Sequence, residues 1–128
     1  MSETGRLFGQ TAETEAERYL RRKGYRILAR NVRAPSGEMD LVAQSGDVLV
    51  FVEVKARSSP EFGGAVAAVD RDKQRRLVRL AAQYLAKHRL RNQPCRFDVV
   101  LCAGGPENPT VAEHLEHAFE VPGDDLRW

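Results

Sequence analysis

Three side chains that suit metal-assisted chemistry lie close together in the sequence. Asp40 falls within residues 37–42 (GEMDLV), and Glu53 and Lys55 follow the apolar run at residues 48–52. Mg²⁺ and Mn²⁺ prefer carboxylate oxygens, and such a metal lowers the pKa of a bound water and neutralises charge on a phosphate. A nearby lysine can orient that water or stabilise the transition state. The set is typical of phosphodiester hydrolysis, and the alternative is a solvated Glu-x-Lys pair on an edge strand.

Two strands and a tight turn are predicted around these residues. Residues 38–44 alternate polar and apolar side chains, as a half-buried strand does, and residues 48–52 are rich in valine and phenylalanine. The Gly-Asp dipeptide at 46–47 fits a two-residue type II′ turn, which favours glycine at its first central position. This turn would pair Ser45 with Val48.

The same register places Asp40 opposite Glu53. Like charges that face each other on neighbouring strands repel unless a cation lies between them, and a divalent metal is the obvious candidate. Because side chains alternate along a strand, Glu53 and Lys55 share one face of the sheet while Val52 and Val54 point to the other. A slip of one residue would send Asp40 to the opposite face, so the predicted site depends on the register.

The motif at these positions resembles a nuclease superfamily. Residues 37–42 (GEMDLV) and 51–57 (FVEVKAR) are similar to the PD-(D/E)xK nucleases, and most closely to the small bacterial YraN-like proteins related to archaeal Holliday junction resolvases. The likeness covers about the first hundred residues. Its further positions are Gly9, Ala12, Glu13, Ala16, Tyr19, Leu20, Gly24, Tyr25, Arg30, Asn31, Phe62, Gly63, Val69, Lys73, Gln74, Ala81, Ala82 and residues 96–100 (RFDVV). Ala12 is a departure, because the pattern has glycine before the acid.

This resemblance implies both a fold and a site. The implied fold is α/β, a single restriction-endonuclease-like domain with a mixed β-sheet flanked by helices and an αβββαβ core. The implied site holds Mg²⁺ or Mn²⁺ through Asp40, Glu53 and the backbone carbonyl of Val54. Lys55 would then be the catalytic lysine, and Glu13 a helix-borne acid near the metal. The implied substrate is branched or flapped DNA, and a resolvase-like role would need two sites and therefore a homodimer.

The first helix is predicted to begin near Thr11, a plausible N-cap, and to end before Gly24. Spacings of three, four and seven place Glu13, Ala16 and Leu20 on one stripe that faces the sheet. A carboxylate there needs a metal or a basic neighbour. The alternative for Glu13 is that it only complements the helix dipole.

The remaining elements are three strands, a helix, a strand and a less regular end. Residues 25–32 are predicted to form an edge strand with Ile27 and Ala29 on one side. Asp70 is the predicted N-cap of a helix through His88 with an apolar stripe and a basic face. Residues 96–103 are a third strongly apolar strand, and residues 111–121 predict a last strand or a short helix.

The charge is unevenly distributed along the chain. Residues 1–100 contain 19 Lys and Arg against 12 Asp and Glu, whereas residues 101–128 contain one against six. Basic side chains that contact phosphates give largely sequence-independent, salt-sensitive binding to nucleic acid, and the alternative is a set of solvated helix faces. The candidates nearest the predicted site are Arg57, Lys73, Gln74 and Arg76.

Composition predicts one domain over residues 1–128, with a core at about 9–103 and a C-terminal extension at 104–128. No apolar run is long enough to span a bilayer and the first residues do not resemble a signal peptide, so we expect a cytoplasmic protein. Cys95 and Cys102 are expected to be free structural thiols. Asp98 is expected to pair with an arginine, and the histidines to lie on the surface or at helix ends.

Three functions fit the sequence. The first is a metal-dependent endonuclease. The second is a non-catalytic nucleic-acid-binding protein that retains the nuclease fold, although a binder has no need to keep opposed carboxylates. The third is an interaction protein that uses Trp128 and the acidic tail, with no metal affinity.

Overall fold

The computed structural model describes residues 3–57, 69–105 and 108–120, with side chains from residue 10 onward. Its elements are α1 (Glu3–Arg22), β1 (Arg26–Ala34), β2 (Gly37–Ser45), β3 (Val48–Arg57), α2 (Arg71–Lys87), β4 (Cys95–Ala103) and β5 (Thr110–Leu115). The five strands form one sheet in the order β1-β2-β3-β4-β5. Phe62, Gly63 and Trp128 lie outside the described residues, as do residues 121–128 of the acidic tail.

The sheet is mixed and carries a helix on each face. Strands β3 and β4 are parallel, and every other neighbouring pair is antiparallel. One apolar cluster joins one face of the sheet to α2, and a second joins the other face to α1. Because β3 is covered on both faces, it is a nearly continuous apolar run. The predicted α/β fold, consistent with a restriction-endonuclease-like domain, is confirmed, and β5 adds a fifth strand.

The hairpin between β2 and β3 has the predicted register. Ser45 pairs with Val48, and the pairing continues to Leu41 and Val52. Gly46 has φ +60°, as the first central position of a type II′ turn requires. The expected alternation holds along β3, but on β2 it breaks at Asp40, because Met39 packs in the α2 cluster and Leu41 in the α1 cluster although they are two residues apart.

Strand β1 differs from the expectation that Ile27 and Ala29 share one face. Ile27 pairs with Ala43 and Ala29 pairs with Val42, so the register shifts by one residue between them. Leu28 is the extra residue of this bulge and is 39% exposed. Because a bulge reverses the alternation that follows it, Ile27 packs against the α1 cluster and Ala29 against the α2 cluster.

Helix α1 is longer than predicted at its start and ends where predicted. It begins at Glu3 rather than near Thr11, because an N-cap preference is weak and the residues before Thr11 contain no proline to stop a helix. At the other end, the N–H of Tyr25 donates to the Leu20 carbonyl at 2.9 Å and the N–H of Gly24 to the Arg21 carbonyl at 3.0 Å. These two bonds form a Schellman motif.

Helix α2 begins as the sequence indicates. The Asp70 carboxylate accepts a hydrogen bond from the Lys73 N–H at 2.8 Å, which makes Asp70 the N-cap. Leu77, Leu80 and Leu85 are buried on the sheet side, and the arginines on the other side are exposed. The predicted cap and the predicted division into an apolar and a basic face are confirmed.

Neither α1 nor α2 combines the length and the apolarity that crossing a bilayer requires. Cys95 and Cys102 are both free, as expected.

We expect Gly24→Ala to lower the free energy of unfolding by about 1 kcal/mol, because the left-handed conformation is strained for any residue with a Cβ. Gly24 has φ +93° and no atom lies within 4 Å of an added Cβ, so the cost is confined to the backbone. Urea denaturation would measure it. Gly105→Ala is the matched control, since the space around that glycine is also open; equal effects in the two variants would contradict the prediction.

Candidate metal and nucleic-acid site

Asp40 and Glu53 lie on the neighbouring strands β2 and β3. The paired part of the hairpin ends at Leu41 and Val52, and Asp40 and Glu53 are the next residue on each strand. The Asp40 carboxylate also accepts a hydrogen bond from the Val54 backbone N–H at 2.7 Å. The sheet thus brings together the two carboxylates and the Val54 backbone that the sequence identified as candidate metal ligands.

Burial raises the pKa of Asp40 to about 7, and the carboxylate of Glu53 adds to this effect. The hydrogen bond from the Val54 N–H acts in the opposite direction, and Glu13 and Glu38 raise the pKa further. In the absence of a bound metal, burial and the neighbouring carboxylates therefore favour the protonated form of Asp40. A bound divalent cation would take the place of that proton.

Two lysines lie beside Glu53, whose side chain is only 10% exposed. Lys73 Nζ is 3.1 Å from Glu53 Oε1, and Lys55 Nζ is 3.9 Å from the same oxygen. Lys73, a secondary candidate in the sequence, is thus closer to Glu53 than the predicted catalytic lysine. Burial lowers the pKa of Lys55, and the neighbouring Lys73 lowers it further. The position of Lys73 three residues after the Asp70 N-cap was the sequence signal for this approach.

Glu13 reaches the same region from α1. The side-chain amide of Asn31, oriented with its nitrogen toward the acids, donates to Glu13 Oε1 at 2.9 Å and to Glu38 Oε1 at 2.8 Å. Burial raises the pKa of Glu13, and the carboxylates of Glu38 and Glu53 contribute. Asn31 and Glu38 belong to the motifs quoted from the sequence, but sequence reasoning gave neither of them a role.

The other nucleic-acid candidates differ in their surroundings. The Gln74 side chain donates to the Val69 carbonyl at 3.3 Å, so it supports the start of α2. Arg76 is exposed, and its Cδ would lie 3.0 Å from a Cβ added to Gly37, which places it over the start of β2 next to Glu38. Arg57 is the last residue of β3 and is half-buried.

A second titratable cluster lies on β4 and near the end of β5. Asp98, His114 and Glu116 each offer a ligand atom within 4.8 Å of the others, so this group could hold a metal ion. Within the described residues, Glu13, Asp40 and Glu53 do not bring three ligand atoms within 4.8 Å of one another. The expectation that the histidines are surface or helix-end residues is wrong for His114 on β5, whose side chain is 2% exposed because it packs against Tyr19 and Tyr25 and hydrogen-bonds to Asp98 at 2.7 Å. The expected pairing of Asp98 with an arginine is confirmed by Arg96 at 2.9 Å.

A small cleft adjoins Glu13 on the α1 side of the sheet. It has a volume of about 190 Å³, and its wall includes Asn31, Thr14 and the ion pair between Glu17 and Arg30. Of the candidate site's carboxylates, Glu13 lines this cleft.

The family described as uncharacterised protein family UPF0102 matches residues 12–102. This chain belongs to the UPF0102 family. A UPF0102 protein of Symbiobacterium thermophilum is 49% identical over 116 residues, which are 91% of this chain and 98% of that protein. One from Pelotomaculum thermopropionicum is 44% identical over 120 residues, 93% of this chain and 100% of that protein. One from Hahella chejuensis is 46% identical over 111 residues, 87% and 88% of the two chains.

The region that matches the UPF0102 family contains the whole candidate site. It begins at Ala12, next to Glu13 on α1, and ends at Cys102 on β4. It therefore spans Asp40, Glu53 and both lysines, whereas β5 lies beyond it.

Asp40→Asn is expected to stabilise this UPF0102 protein in EDTA, and to do so more at pH 8 than at pH 5. Because the pKa of folded Asp40 lies above its ordinary value of 3.8, the protonated carboxyl stabilises the fold and this contribution is lost as the pH rises through about 7. Asparagine does not titrate and can still accept from the Val54 N–H. In urea denaturation, the free energy of unfolding of Asp40→Asn minus that of wild type should increase by about 2 kcal/mol from pH 5 to pH 8.

Asp47→Asn, at an exposed aspartate in the β2–β3 turn, is the control. A pH profile for Asp40→Asn that runs parallel to that of wild type would show that Asp40 is ionised like a surface carboxylate.

Proposed function

We propose that this protein is a metal-dependent endonuclease that hydrolyses DNA phosphodiesters with Mg²⁺ or Mn²⁺. The observation that carries the proposal is the closeness of the Asp40 and Glu53 carboxylates at the end of the β2–β3 pairing, where Glu53 is buried and its charge raises the pKa of Asp40. Like charges facing each other across two strands are destabilising, and burial increases the cost. A purely structural sheet gains nothing from this arrangement, whereas a metal site requires it.

The donor set fits a hard divalent cation. Asp40, Glu53 and the carbonyl of Val54 would hold it, as the PD-(D/E)xK resemblance implies, and the raised pKa of Asp40 indicates a place where positive charge is favoured. When bound, such a metal lowers the pKa of a ligand water and neutralises charge on the phosphate. Lys55, whose pKa is lowered by burial and by the neighbouring Lys73, would orient the attacking water. Attack of this water on phosphorus, with cleavage of the bond to the 3′ oxygen, leaves a 5′ phosphate and a 3′ hydroxyl.

The basic residues around the site support a polyanionic substrate. Lys73 lies beside Glu53 at the start of α2, and Arg76 lies one turn further along, over the start of β2. Arg57 ends the strand that carries Glu53 and Lys55. A phosphate backbone that passed these side chains would reach the carboxylates. The resemblance to Holliday junction resolvases makes branched or flapped DNA the substrate we propose, cut by a homodimer in the cytoplasm during repair or recombination.

One observation favours a second candidate, a nucleic-acid-binding protein that keeps the fold without cleaving. Lys73 and Lys55 both lie within 4 Å of Glu53, so positive charge already offsets this carboxylate. A binding protein could retain the acids as partners of these lysines. The two candidates differ in whether binding of a divalent metal displaces the lysines from Glu53.

Wild type is expected to cleave four-way or flapped DNA in Mg²⁺ or Mn²⁺, and Glu53→Gln and Lys55→Ala to slow cleavage by about 100-fold or more. The loss follows from removing a metal ligand or the group that orients the water. Labelled single-stranded, duplex, flapped and four-way DNA would be compared on denaturing gels. Lys87→Ala is the control because this exposed lysine is in the last turn of α2, about 21 Å along the helix from Lys73. Binding without cleavage on every substrate would favour the second candidate.

Arg76→Ala is expected to weaken DNA binding equally for different sequences and to reduce its dependence on salt. Each lost phosphate contact lowers the magnitude of the slope of log K against log salt by about 0.9 on duplex DNA. Fluorescence anisotropy at several NaCl concentrations would measure this slope, again with Lys87→Ala as control. Identical slopes for wild type and Arg76→Ala would place the DNA elsewhere on the protein.

A further inference from the structure

Asn31 has an unusual backbone conformation for a residue inside a strand. Its φ is +50°, although β1 pairs with β2 on both sides of it, at Arg30 with Leu41 and at Val32 with Met39. The left-handed region is unfavourable for a residue with a Cβ, and asparagine is one of the few that tolerate it. Such a conformation persists only where the surrounding structure holds it, and it is often found at functional sites.

The position of Asn31 in the sheet is next to the candidate site. The two flanking pairs place it opposite Asp40, whose carboxylate accepts a hydrogen bond from the Val54 N–H on β3. Asn31 is therefore a neighbour of Asp40 across β1 and β2, and Glu53 precedes Val54 on the next strand.

The side chain of Asn31 connects three elements. Its amide nitrogen lies 2.9 Å from Glu13 Oε1 on α1 and 2.8 Å from Glu38 Oε1 on β2. The opposite orientation would put the amide oxygen against two carboxylates, which is repulsive, so the donor orientation is the correct one. Hydrogen bonds to charged acceptors are about twice as strong as those between neutral groups.

The carboxylates of Glu38 and Glu13 have different neighbours. Glu38 Oε2 lies 3.7 Å from Arg33 Nε, so Glu38 has a basic neighbour on its own side. Glu13 is partly buried, and its carboxylate faces the negative groups of Glu38 and Glu53. The amide of Asn31 donates to both Glu13 and Glu38 and so offsets the repulsion between their carboxylates.

We propose that Asn31 is a positioning residue, whose amide fixes the Glu13 carboxylate beside Asp40 and Glu53 so that Glu13 can bind a water ligand of the metal. This inference rests on the proposed function for its metal. It extends that function by giving Glu13 a defined place and by making the left-handed asparagine part of the site. Removing a partner that orients a metal-binding group typically lowers the metal affinity by about 10- to 100-fold.

Asn31→Ala and Asn31→Gly are the test variants, and Mn²⁺ binding measured by electron paramagnetic resonance is the readout. Both should weaken Mn²⁺ binding by about 10-fold, although glycine tolerates the φ of +50°. Asn31→His, which keeps a ring N–H donor and tolerates this conformation, should recover part of the loss. Asn92→Ala is the matched control, because Asn92 also has a left-handed backbone (φ +54°) but is exposed between α2 and β4.

A double-mutant cycle with Glu13→Gln separates positioning from a general effect. If Asn31 acts through Glu13, adding Asn31→Ala to Glu13→Gln should change Mn²⁺ affinity by less than about twofold. Additive losses, or wild-type affinity in both single Asn31 variants, would overturn the proposal.

Wild-type protein that binds no Mn²⁺ would refute the proposed metal function itself. The same cycle measured on the unfolding equilibrium constant would then test the amide–carboxylate link alone. Coupling of about fivefold or more would support the link between Asn31 and Glu13, and independent effects would overturn it.

Discussion

The antiparallel pairing of β2 with β3 is the constraint on which the candidate site depends. It ends at Leu41 and Val52, directly before Asp40 on one strand and Glu53 on the other, and the Val54 N–H then donates to the Asp40 carboxylate. A change of register by one residue would reverse the faces of the side chains on one strand and expose its apolar set. The tight turn at Gly46 and the two buried faces of the hairpin exclude that change. The stability of the sheet and the geometry of the acids therefore have the same origin.

The two helices complete the site from opposite faces of this hairpin. Helix α2 brings Lys73 to Glu53 because its N-cap at Asp70 fixes the first turn. Helix α1 brings Glu13, which approaches the acids through the amide of Asn31. Each helix is held to the sheet by its own apolar cluster, so the charged groups are carried on rigid elements. An excess of carboxylates in a partly buried region is tolerated because donors and ammonium groups from both sides are directed at it.

The buried carboxylate of Asp98 on β4 is balanced by hydrogen bonds and by an arginine. Burial alone would raise the pKa of Asp98, but hydrogen bonds from His114, Arg96 and the His117 N–H lower it below its ordinary value. Tyr25 donates to Glu116 at 2.8 Å and so joins α1 and β1 to the chain that follows β5. A metal at this cluster would have to compete with the Arg96 guanidinium, whereas at Asp40 and Glu53 it would compete with a proton and with the ammonium groups of Lys73 and Lys55.

The sequence alone determined the features that depend on neighbours along the chain: the turn at Gly46, the alternation that places Glu53 and Lys55 on one face, and the Asp70 cap. These follow from local dihedral preferences and from the period of side chains in strands and helices. The tertiary structure decided the bulge at Leu28 and the role of Asn31, together with the early start of α1 and the burial of His114. Such features depend on contacts between residues far apart in sequence, where packing and the need to satisfy buried charges override local preference.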